Sequence, residues 1–65
     1  MDDHATDEYS KEELSEALRA ISSLVSKCEK VRPKLRPGSA QLTLLRNRIK
    51  ALRVAEALIK KELAE

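Results

Sequence analysis

The chain has almost nothing that bends, bridges or stacks. Among 65 residues there is one glycine (Gly38), two prolines (Pro33 and Pro37), one cysteine (Cys28), one histidine (His4) and one aromatic residue (Tyr9). A single cysteine excludes a disulfide framework within the chain. His4 and Cys28 are the sole imidazole and thiol, so no metal site is expected. The lack of a glycine-rich loop removes the usual phosphate cradle, and no nucleophile stands with a base, so no cofactor and no enzyme activity is expected. Glu12, Glu13 and Glu16 are adjacent carboxylates on one helix start. Two helices cannot build a closed pocket over them for acid–base work. No apolar run approaches the ~20 residues that cross a bilayer. The opening "MDDHATDEYS" is acidic, unlike a signal peptide. With the lone thiol this points to a reducing, cytoplasmic setting and no membrane.

What is present is helix-forming sequence with periodic apolar positions. Ser10 followed by Glu13 forms a capping box, and Tyr9 stands where it can staple onto Leu14. Leu14, Ala17, Leu18, Ile21, Leu24, Val25, Cys28 and Val31 recur at spacings of three and four, an amphipathic helix rather than a strand. Pro33 disfavours helix at its own position and at Arg32, although Leu35 continues the stripe. The expectation is a helix over about 11–34, bent or loosened at Pro33. A Pro37-Gly38 turn over about 35–39 follows. Ser39 then caps a second helix over about 40–64. Residues 1–9 are expected to form an acidic, disordered tail, and 10–65 the helical hairpin.

The second helix is apolar on two lines. Leu42, Leu45, Ile49, Leu52, Ala55, Ile59 and Leu63 form one. Leu44, Ala51, Val54 and Leu58 form another beside it. Folded antiparallel, the first line meets helix one, with Val31 near Leu45, Leu24 near Leu52, Ala17 near Ile59 and Leu14 near Leu63. The second line is left without a partner. So short a chain rarely stabilises itself by one core alone. The expected fold is therefore all-α: an antiparallel two-helix hairpin that pairs into a four-helix bundle, most simply as a homodimer. Leu44, Arg48, Ala51, Val54 and Leu58 are the expected oligomer interface. Arg48 projects among leucines. Its stem packs on them and its head seeks a carboxylate, with Glu29 opposite in this pairing. A sharper alternative makes Arg48 an anchor for an anionic ligand.

The net charge of +2 conceals a strong polarity. Residues 1–16 carry a net of −6, residues 17–54 a net of +9, and residues 55–65 a net of −1. Acids at the start of helix one and bases at its end suit the helix dipole. Arg46, Lys50 and Arg53 near the start of helix two do not. Lys30, Arg32, Lys34, Arg36, Arg46, Lys50 and Arg53 are therefore candidate contacts for a polyanion such as nucleic acid. No aromatic residue stands among them to stack a base, and no third helix completes a helix-turn-helix unit. A solvated polar face explains the same residues. Two functions follow. One is a non-enzymatic, self-associating interaction module that presents a charged surface to another protein. The alternative is a small basic nucleic-acid-associated protein. Cys28, on the apolar stripe, reads as a small buried hydrophobe.

The runs "SSLVSKCEKVRPKL" and "TLLRNRIKALRVAEALI" resemble a group of small bacterial proteins expected to be helical hairpins. The resemblance spans about residues 10–63. It implies a two-helix fold and a bacterial cytoplasm, and it carries no activity, ligand or catalytic residue.

Overall fold

The computed structural model describes residues 9–65; the acidic segment 1–8 lies outside the described residues. The described chain is all-helical: α1 spans Lys11–Val31 and α2 spans Ala40–Ala64. The two pack as an antiparallel hairpin.

α1 begins as its sequence dictates. The Glu13 N–H donates to Ser10 Oγ at 3.1 Å, and the Ser10 N–H donates to Glu13 Oε1 at 3.0 Å. Two donors that the helix cannot satisfy internally are thereby satisfied reciprocally. Glu12 and Glu13 in the first turn and Lys30 in the last turn complement the helix dipole.

At the other end, α-helical bonding stops at Val31 and gives way to a 3-10 turn over Arg32–Lys34. Pro33 is the cause. It has no N–H to offer the Glu29 carbonyl, and its ring crowds the preceding turn. The first turn of a 3-10 segment needs no such donor, so Pro33 fits there. Leu35 is extended, and the chain then reverses. The Ser39 N–H donates to the Arg36 carbonyl at 3.1 Å, and Gly38 between them has a φ of 78°. Proline second and a positive-φ glycine third is the arrangement a type II turn demands. Ser39 starts α2 at once, its Oγ accepting from the Leu42 N–H at 3.1 Å.

The core is thin. Among the described residues Val25, Leu42 and Ile49 alone are buried, and all three lie in the half of the hairpin nearer the turn. Leu14, Leu18, Ile21, Leu52, Ile59 and Leu63 are partly covered towards the open end, and Cys28 is half-buried rather than buried. The molecule measures 41 × 24 × 14 Å, a slab little more than one helix thick. Both of its broad faces reach solvent.

Candidate association face and basic groove

Two cross-helix contacts fix how the helices are rotated. Ser22 Oγ donates to Glu56 Oε2 at 2.5 Å. Arg53 Nη2 donates to Glu29 Oε2 at 2.8 Å. At about 100° per residue, Ser22 and Glu29 stand on one flank of α1, about 40–60° from Val25. Arg53 stands on the matching flank of α2, about 40° from Ile49. These residues mark one broad face of the slab.

Arg46, Lys50 and Arg53 run along that face at spacings of four and three. With Arg32 from the 3-10 turn they rim a groove of about 460 Å³, floored by Ile49, Val54 and Ala57. Glu29 is the carboxylate set against them. Its Oε2 accepts from Arg53, and its Oε1 lies 3.3 Å from Arg32 Nη2. That second approach is an ion pair without hydrogen-bond geometry, and Oε1 is otherwise enclosed. Arg32 and Arg46 also line a second hollow that reaches Pro33 and Pro37, so the basic strip continues to the turn. Lys30, Lys34 and Arg36 are exposed and rim neither hollow.

The opposite face is apolar. Leu24 and Val31, seven residues apart, project about 100–120° from Val25, away from Glu29. They were expected inside the hairpin, against Leu52 and Leu45. The structure corrects this: they are 48% and 43% exposed. α1 is turned so that its Ser22–Glu29 edge faces α2, which swings Leu24 and Val31 outward. On α2, Arg48 projects about 100° from Ile49 on the same side, while Leu44, Ala51 and Leu58 stand about 140–180° from it, along the outer edge; Leu44 and Leu58 are 64% and 63% exposed. Val54, also exposed, points instead towards the basic groove.

Arg48 needs a second correction. Glu29, its expected carboxylate partner, is held by Arg53 and Arg32 on the other face. Arg48 is exposed and has no ion pair among the described residues. The Ser22–Glu56 bond is not foreshadowed in the sequence reading either. Its signal was faint: Glu56 is the one acid on the core side of α2 in its central turns, and a nearby hydroxyl is its simplest partner.

Among the described residues no group of three His, Cys, Asp or Glu side chains is placed to hold a metal. No helix among them is long and apolar enough to cross a membrane. Compared with family models, with curated proteins and with solved structures, the chain shows no match.

Proposed function

We propose that the protein is a non-enzymatic helical interaction module that pairs with a second copy of itself, hairpin on hairpin, as a four-helix bundle. The observation that carries this reading is the exposed apolar surface that runs from Leu24 and Val31 on one broad face to Leu44, Ala51 and Leu58 along the outer edge of α2, set against a core of three buried residues among those described. Stacking two slabs on that face gives each helix a second neighbour and covers the leucines. A two-fold arrangement lets one patch serve both copies, as in most soluble dimers. Arg48, exposed on the same side, would lay its stem along the leucines and offer its guanidinium to a helix end or carboxylate of the other copy.

Sedimentation equilibrium with circular dichroism over a dilution series tests this. The expected result is a dimer whose helical content falls on dilution. Leu44→Asp and Leu58→Asp, which bury a charge in the contact, should dissociate or unfold it. A folded monomer at low micromolar concentration would overturn the proposal.

A further inference from the structure

The two faces of the slab differ in chemistry and point in opposite directions. A dimer joined through the apolar face therefore turns its two basic grooves outward, away from each other. We propose that each groove binds the phosphate backbone of a nucleic-acid duplex, and that the dimer thereby bridges two duplexes. The groove half of this inference stands on its own, whereas the bridging half rests on the dimer proposed above.

Charge complementarity carries the choice of ligand. Arg32, Arg46, Lys50 and Arg53 lie along one shallow strip with Glu29 as the opposing charge. Arg46 to Arg53 spans about 10 Å along α2, the distance over which a duplex strand presents two or three phosphates. Guanidinium groups suit phosphate through their forked donors. The groove floor is aliphatic, and no aromatic side chain lines it. Recognition of single strands relies on stacking aromatics, so the backbone of a duplex fits better. An anionic membrane surface would draw on the same cations, and the vesicle arm of the test below decides between the two. The contacts touch phosphates alone and so confer little sequence preference.

The occupancy of Glu29 sharpens the argument. Its carboxylate sits where a phosphate oxygen would sit, between Arg53 and Arg32. A duplex must displace it. Glu29→Gln should therefore tighten binding and steepen its salt dependence by about one phosphate equivalent.

The test uses the full chain with two readouts. One is fluorescence anisotropy of a labelled short duplex. The other is capture of a free duplex by one tethered to beads. The wild type should bind at low salt, bridge, and lose roughly fortyfold in affinity between about 50 and about 200 mM salt, as four cations less the Glu29 charge imply. Arg46→Glu combined with Lys50→Glu should weaken binding roughly tenfold or more while sedimentation still shows a dimer. These two arginine and lysine positions make no ion pair among the described residues, so the hairpin should survive. Leu44→Asp, where it yields a folded monomer, should bind and fail to bridge. Where it unfolds, dilution of the wild type below its dimer range should abolish bridging before binding. Failure of the wild type to bind duplex at about 50 mM salt, where such contacts are strongest, would overturn the groove assignment. So would unchanged binding by the Arg46→Glu and Lys50→Glu variant, or preferential binding of an acidic protein or anionic vesicle. A wild-type dimer that binds without bridging would overturn the opposed-groove geometry alone. A folded wild-type monomer that binds would overturn the dimer and the bridging, leaving the groove intact.

Discussion

Gly38 is the residue on which the reversal of the chain depends. Its φ of 78° is open to glycine and costly for residues with a Cβ. A Cβ placed there meets no atom within 4 Å, so the penalty of Gly38→Ala is purely conformational, about 1 kcal/mol. Gly38→Asn should lose less, because asparagine tolerates this region better. Thermal denaturation of the pair separates the two. Ser10 is a second such position. Ser10→Ala leaves the Glu13 N–H without its acceptor and should lower stability by about 0.5–2 kcal/mol. Both residues were legible, since each acts through its own backbone neighbourhood. Glu29 was not. Its partner depends on how α1 is rotated against α2, and no local pattern encodes that angle. Because Arg53 is more than half exposed, Glu29→Gln should cost under about 1 kcal/mol. A chemical-denaturation midpoint that moves far more would show that the enclosed Oε1 has a larger structural role.

At the scale of the element, α2 carries more apolar surface than one neighbour can cover. Apolar residues at two sets of spacings on one helix announced that surplus. Their periodicity placed Leu44, Ala51 and Leu58 away from the hairpin core, where they lie. The same reasoning failed for Leu24 and Val31. They share the three-and-four spacing of Val25 and Cys28, and a stripe about 140° wide does not state which edge is covered. The answer came from Ser22 and Glu29, polar residues that pull the other edge of α1 onto α2. The end of α1 illustrates a milder limit. Pro33 marks a boundary clearly, but a bend and a 3-10 turn satisfy it equally well. Pro33→Ala should let α1 run further towards Leu35 and raise helical ellipticity slightly. Its stability should change little, since the residue is exposed and takes no part in the buried core. A large loss would show that the turn depends on the break.

For the whole molecule, the decisive fact is that a slab 14 Å thick has no interior beyond a single contact line. Melting temperature should therefore rise with protein concentration, as mass action requires when folding and pairing are linked. Charge adds a second dependence. The basic face repels its own kind, and a dimer that turns those faces outward keeps them far apart. Added salt should thus weaken any nucleic-acid complex strongly and the protein dimer hardly at all.

The unequal distribution of buried residues along the hairpin has a kinetic counterpart. Val25, Leu42 and Ile49 sit towards the closed end, next to the turn that tethers the two helices. The opposite end has half-covered side chains and no turn joining the two helices. Opening should therefore begin at Ser10 and Ala64 and travel inward, like a zipper parted from its loose end. Amide hydrogen exchange would record this as a gradient. Protons of the last turns of α2 should exchange fastest, and those around Ile49 slowest, near the rate set by global unfolding.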